Sequence, residues 1–178
     1  EDRAVSVMAG GDFALIKSVE GFEDHTDFGR RQIAERGVTS GDIVFAITEG
    51  GETPFVIGTA WMGVERGAKV YFVYNNPDDV LRAHVVRSRE IIDDPRIEKI
   101  NLTTGPMAIS GSTRMQATSI QLCVMLTILE MTARALSRQQ VVEAVPEEFA
   151  AALEAAMAGL SSAGFRAELA ELVAMEEE

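Results

Sequence analysis

A chain of 178 residues, 47% of them hydrophobic and 25% charged, is long enough for one globular domain with an ordinary core and an appended segment. A formal net charge of -12 and a pI near 4.6 argue against a nucleic-acid backbone or an anionic membrane as the main partner, because both would repel it. The single cysteine, Cys123, leaves no internal disulfide to form and suits a reducing, cytoplasmic setting; inside the apolar run IQLCVMLTILEM it is expected to be a buried small hydrophobe. No apolar stretch reaches the roughly 18 uninterrupted residues of a membrane span, and EDRAVSVMAGG lacks the basic leader and apolar block of an export signal.

Taken in order, Ala4 to Met8 is a β-branched run ended by Gly10 and Gly11, and it predicts a strand leading into a turn. Asp12 is placed to cap a following helix, FALIKSV, in which Phe13, Ile16 and Lys17 have helical spacing. If that helix continues, Glu20 and Glu23 share a face. Two like charges there cost a little unless a cationic or protonatable group uses them; otherwise they mark a solvated helix end. Asp27 to Arg36 predicts an amphipathic helix with Phe28, Ile33 and Ala34 inward and Gly37 as its stop.

Asp42 to Thr48, DIVFAIT, has the continuous apolar character of a strand buried on both faces of a parallel sheet. Glu49, Gly50, Gly51, Glu52 and Thr53 then lead to Pro54, suited to the first turn of a helix, FVIGTAWMGVERG. A strand, a glycine turn and a helix start is the arrangement in which backbone amides and a hydroxyl cradle a phosphate, and the hydroxyls of Thr48 and Thr53 flank it.

Lys69 to Tyr74 predicts another buried strand, closed by Asn75, Asn76 and Pro77. Trp61, Tyr71, Phe72 and Tyr74 sit inside elements and are expected in the core. Asp78 to Ile92 predicts a mixed-charge helix with His84 on its surface, and Pro95 to Leu102 a short strand. That strand delivers the chain to Thr103, Thr104 and GPMAISGSTRM. A helix starting at Ser112 or Thr113 would point unpaired N–H groups and the positive end of its dipole at an anion, with Arg114 adding a fork of donors. The other reading is a capped core helix with an exposed arginine. Ala117 to Leu136 is nearly all apolar or small, so a helix there should be central, with Met115, Met125 and Met131 as packing.

After Ser137 the composition shifts to Ala, Glu and Leu, with Pro146 starting a helix and Gly159 and Gly164 interrupting it. Residues 138–178 therefore read as a helical extension or the start of a second domain, after a first domain over residues 1–137. Alternating strands and helices predict an α/β fold, a three-layer sandwich around a mostly parallel sheet, followed by the helical tail. Ligands of such sheets bind beyond the carboxyl ends of the strands, so ITEGGETP and ISGSTRM should face one pocket. His25, His84 and Cys123 have no metal-ligand spacing, so no metal site and no Ser-His-Asp set is expected.

Three blocks in this order, VMAGGDFALIKSVEGFED, ITEGGETPFVIG and GPMAISGSTRMQATSIQ, resemble the sugar isomerase (SIS) domain family, in the branch of N-acetylmuramic acid 6-phosphate etherase and glucokinase regulatory protein. The first and third are specific to this branch; the second is common to SIS domains at large. The resemblance implies a flavodoxin-like sheet and a sugar-phosphate ligand. It also implies a homodimer or a second SIS domain as neighbour, and no cofactor. It makes Glu23 the base that takes the proton from carbon 2 of the sugar so that lactate leaves carbon 3, with a proton affinity raised by a partly dry pocket. Thr48, Gly50, Gly51 and Thr53 would surround the 6-phosphate with Glu49 in the same loop, Ser112, Thr113 and Arg114 would close over the sugar, and Glu20 would be a second polar contact. The sequence departs from the pattern in having Gly50 where the family has a serine and Gln116 where the etherases have a lysine. The family's first phosphate loop and its general-acid glutamate precede the strand expected at Ala4, so the chain is expected to be a segment of a longer protein. The implied activities are an etherase-type lyase, a sugar-phosphate sensor resembling the regulatory protein, or a sugar-phosphate isomerase.

Overall fold

The computed structural model describes residues 4–107, Ile109 and residues 115–138, with side chains as far as Ala133. The three apolar runs form one parallel sheet in the order β1 (Ile43–Ile47), β2 (Lys69–Tyr74), β3 (Ile97–Asn101). Ile43 lies opposite Lys69 and Ile47 opposite Val73, while Val70 lies opposite Ile97 and Tyr74 opposite Asn101. Parallel neighbours need crossovers. These are α2 (Pro54–Glu65) between β1 and β2, and α3 (Asp78–His84) with α4 (Val86–Asp93) between β2 and β3. Ahead of the sheet stands α1 (Thr26–Glu35), and after it α5 (Gln116–Arg138).

On one sheet face Val44, Ala46, Val70, Phe72 and Tyr74 pack with Ile33 of α1, Ile57 and Ala60 of α2, and Leu81, Ile91 and Ile92 of α3 and α4. On the other, Phe45 stacks on Tyr71 with ring centroids 5.1 Å apart, and Tyr71 and Val73 are also buried. Burial of β2 on both faces is what the centre of an α/β three-layer sandwich requires. Trp61 is half-buried against this core and His84 is exposed, as expected.

The chain divides between Thr118 and Ser119 into two units. The sheet and α1 to α4 belong to the first. Of the second, the described part is the rest of α5, where Gln121, Val124, Ile128 and Thr132 form a buried stripe at helical spacing. Cys123 falls off that stripe and is exposed, and Met115 is 64% exposed; neither has the buried role expected for it. Residues 139–178, where the helical tail was expected, lie outside the described residues. Among the described residues no helix is long and apolar enough to cross a membrane.

The N-terminal expectations need correction. Residues 4–8 form no strand, since the sheet contains only β1 to β3 among the described residues and Val5 is exposed; β-branched composition does not make a strand without a neighbour to pair with. The helix expected from Phe13 is a single 3₁₀ turn, Asp12–Leu15, in which no residue is buried. Asp12 lies inside that turn and makes no cap. Short helices depend on packing, and this one has little. Gly21, at φ 83, then turns the chain before a second 3₁₀ turn, Phe22–Asp24, so Glu20 and Glu23 do not share a helix face. Phe28 is 40% exposed and packs beside Phe22 and His25 instead of entering the core. The helix predicted over 78–92 breaks at Val85, which has extended geometry (φ -126, ψ 101). Gly37 does end α1, with φ 72 and its N–H on Ala34 O.

Before β3, Asp94 accepts bonds from the Arg96 side chain (2.6 Å to Nη2) and from the Arg96 backbone N–H (2.9 Å). The Arg96 side chain first, and its N–H second, hold the Asp94 carboxyl down at about 2, below its ordinary 3.8. A carboxyl depressed in the folded state adds stability that is present above its ordinary range and lost as pH falls through its folded value. Between pH 4 and 2, the stability of Asp94→Asn should therefore fall less steeply than that of the parent chain in urea melts.

Candidate functional site

The site forms at the carboxyl edge of the sheet. Thr48 extends the β1–β2 ladder by one bond, its N–H donating to Val73 O at 3.0 Å. Its hydroxyl, in a residue only 2% exposed, lies 2.8 Å from that of Thr53. Thr53 immediately precedes α2 and its side chain makes no capping bond. Pro54 at N1 has no N–H to offer. Phe55 and Val56 follow, and the N–H groups of a first helical turn have no acceptor within the helix. Both residues line a cleft of about 230 Å³ together with Thr48, Thr53, Glu49 and Glu23.

The loop between Thr48 and Thr53 is gripped by its carbonyls. Asn75 N–H donates to Glu49 O (3.0 Å), Asn76 Nδ2 to Gly50 O (3.0 Å), Ser88 Oγ to Gly51 O (2.7 Å) and Arg87 Nε to Glu52 O (2.6 Å). In a planar trans peptide the C=O and the next N–H point in opposite directions. The N–H groups of Gly50 through Thr53 are thus turned away from those donors.

Behind the loop, Asn75 Nδ2 donates to Leu102 O at 2.8 Å and Leu102 N–H to Tyr74 O at 2.7 Å, tying the ends of β2 and β3. Asp78 Oδ1 accepts from Tyr74 OH and from Asn101 Nδ2, each at 2.6 Å. Burial, then the bond to Asp78, pushes the Tyr74 hydroxyl well above its ordinary range. Burial alone would raise the Asp78 carboxyl; the bonds from Tyr74 and Asn101 and the nearby Arg82 charge outweigh it and hold it below its ordinary value. The edge beneath the loop is therefore rigidly hydrogen-bonded.

Of the expected site residues, Glu23, Thr48, Glu49 and Thr53 line the one cleft. Gly50 and Gly51 shape its loop, Gly51 with φ 76. Glu20 is exposed in the preceding turn and does not line the cleft, and Glu23 is itself exposed where it lines it. Glu49 Oε1 accepts from Thr118 Oγ1 at 3.3 Å, and Gln116 Nε2 donates to Thr104 O at 3.0 Å. Ser112, Thr113 and Arg114 lie outside the described residues. The sequence reading missed Phe55 and Val56 as carriers of first-turn amides, and Asn75, Asn76 and Ser88 as holders of the loop. Only Asn-Asn-Pro after a buried strand carried a signal. A larger hollow of about 580 Å³ lies at the α3–α4 junction, bordered by His84, Arg87 and Glu90. The first turn of α4 borders it, but its lining has no hydroxyl pair and none of the glycine loop, so the smaller cleft is the better site.

A glycine loop held in this way between a parallel strand and a Pro-started helix, at the carboxyl edge of the sheet, defines a ligand-binding α/β domain. Residues 1–63 match the glucokinase regulatory protein N-terminal SIS domain. The N-acetylmuramic acid 6-phosphate etherase of Clostridioides difficile (strain 630) is 36% identical over 128 residues, covering 71% of this chain and 38% of the etherase. That of Clostridium acetobutylicum is 39% identical over 119 residues, 67% of this chain and 36% of the etherase. That of Deinococcus radiodurans is 38% identical over 120 residues, with the same two shares, 67% and 36%. The chain belongs to the SIS family, in the branch of these etherases and the regulatory protein. It spans little more than a third of the length of these curated relatives.

Proposed function

We propose that the cleft binds the phosphorylated end of an amino sugar, and that the protein eliminates lactate from a muramic acid 6-phosphate with Glu23 as the base. One observation carries the reading: Glu23, the Thr48–Thr53 hydroxyl pair and the first turn of α2 line a single cleft. A helix start favours an anion through its unpaired amides and its dipole, and the hydroxyls supply further donors. At about 230 Å³ the cleft is smaller than the ~300–1,000 Å³ pockets of drug-sized ligands, which suits a phosphosugar end better than a nucleotide. In the elimination, the Glu23 carboxylate takes the proton from carbon 2, the electron pair left there forms a double bond to carbon 3, and the lactyl oxygen leaves carbon 3 with the electrons of its bond and takes up a proton from solvent. The family's role for Ser112, Thr113 and Arg114, closure over the sugar, belongs to this proposal, as does a homodimer or a second SIS domain completing the pocket. No cofactor is called for.

A second reading is a sugar-phosphate sensor without catalysis. It is favoured by the match of residues 1–63 to the regulatory protein's domain, and by Gln116, a neutral side chain bonded to Thr104 O where the etherases have a lysine. Deuterium exchange separates the two. The full-length protein should exchange the carbon 2 proton of N-acetylmuramic acid 6-phosphate with solvent; binding without exchange would favour the sensor. Under either reading Thr53→Val removes one hydroxyl from the phosphate, and calorimetry should show affinity lower by about tenfold, the worth of ~1.5 kcal/mol for a hydrogen bond to a charged group.

A further inference from the structure

Two glycines inside helices, Gly29 in α1 and Gly58 in α2, meet the opposite helix where no side chain fits. A Cβ on Gly29 would lie 2.0 Å from Phe55 O, and a Cβ on Gly58 would lie 2.0 Å from Thr26 O. The contact is reciprocal, and both partners are backbone, which cannot rotate out of the way. One partner lines the cleft, and the other follows the turn that enters it. Phe55 is in the first turn of α2 and lines the cleft; Thr26 opens α1, directly after the 3₁₀ turn that carries Glu23 and its flanking His25. Thr48, Thr53 and the α2 start belong to one hydrogen-bonded body with the sheet, whereas Glu23 reaches the cleft on the segment leading into α1.

We infer that Gly29 and Gly58 are positioning residues that set the distance between the Glu23 carboxylate and the phosphate loop. The inference rests on the reading of Glu23 as the base. Ordinary contact to a Cβ begins at 3.4 Å, so either alanine must part the helices by roughly an ångström or more, and a displacement of about 1 Å at a reacting centre lowers rates by about 10²-fold. The phosphate end, held by residues of the β1–α2 body, is left in place.

The test compares Gly58→Ala with Ile91→Ala, a core truncation at a fully buried residue of α4 that destabilises while leaving Gly29 and Gly58 in place. In the full-length protein, exchange at carbon 2 of N-acetylmuramic acid 6-phosphate, per folded molecule, should fall about 10²-fold in Gly58→Ala. Its affinity for inorganic phosphate should stay within about threefold of the parent, and Ile91→Ala should change neither. Exchange per folded molecule that is unaltered in Gly58→Ala, or that falls in step with phosphate affinity, overturns the inference. A second arm needs no substrate and so separates this inference from the proposed chemistry. In a Cys123→Ser background, the rate of disulfide formation between Glu23→Cys and Thr53→Cys should drop at least tenfold when Gly58→Ala is added. An unchanged rate overturns the positioning role whether or not the protein is a lyase. A dropped rate sustains it even if no exchange is seen in the parent, and Gly29→Ala serves in place of Gly58→Ala if the latter does not fold.

Discussion

Glu23→Gln is expected to lower carbon 2 proton exchange by about 10²–10⁴-fold, the usual worth of a positioned general base. Glutamine keeps the length and shape of the side chain and its capacity for hydrogen bonds, but its amide does not accept the proton. The variant therefore removes one function and leaves the cleft's outline alone. Glu23 shares that cleft with Glu49, and a second carboxylate near a phosphorylated ligand costs binding through like-charge repulsion. Affinity for the sugar phosphate in Glu23→Gln should accordingly hold or tighten while exchange collapses. Affinity and exchange lost together would make Glu23 a binding contact instead. Single-turnover exchange read by proton NMR, alongside calorimetric binding, gives both numbers from one preparation.

The second large effect is structural and sits in the phosphate loop. Gly51 has φ 76, and a Cβ there would lie 2.8 Å from Leu81 Cδ1 and 3.3 Å from the Tyr74 ring. Left-handed geometry costs a side chain ~1–2 kcal/mol and crowding a packed core ~1–3 kcal/mol, so Gly51→Ala should lose about 2–5 kcal/mol. Leu81 is 2% exposed and cannot easily swing aside. Ser88 Oγ is bonded to Gly51 O in a buried setting, so any shift of the loop also strains that bond. A loss of this size is a sizeable part of the ~5–15 kcal/mol that holds a typical domain together. Urea denaturation should show a lower midpoint with an unchanged slope.

What was legible beforehand follows the burial of each segment. The apolar runs 42–48 and 69–74 and the Pro54 start were readable because a parallel sheet buries its strands on both faces and leaves continuous apolar sequence behind. Thr48 and Thr53 were readable as a pair because they flank a glycine turn of known geometry. Residues 4–24 misled because several of their large apolar residues have helical and strand spacing yet stay exposed: Leu15 is 76% and Ile16 84% exposed. Periodicity reports a face, not what covers it. Val85 broke a predicted helix through a backbone turn that leaves Ser88 buried on the phosphate loop, a long-range bond with no local signal. Gly29 and Gly58 carried one that went unread. A glycine within a helix costs about 0.5–1 kcal/mol relative to alanine, so two at such positions ask for a packing reason.

The central claim is that phosphate is bound by the first turn of α2 and the loop before it, within reach of Glu23. Backbone amide NMR during titration with N-acetylmuramic acid 6-phosphate tests it most directly. Saturable shifts largest at Gly51, Thr53, Phe55 and Val56 are the predicted result. Shifts confined to Arg87 and Glu90 at the α3–α4 hollow, or no saturable shift at millimolar ligand, would contradict it.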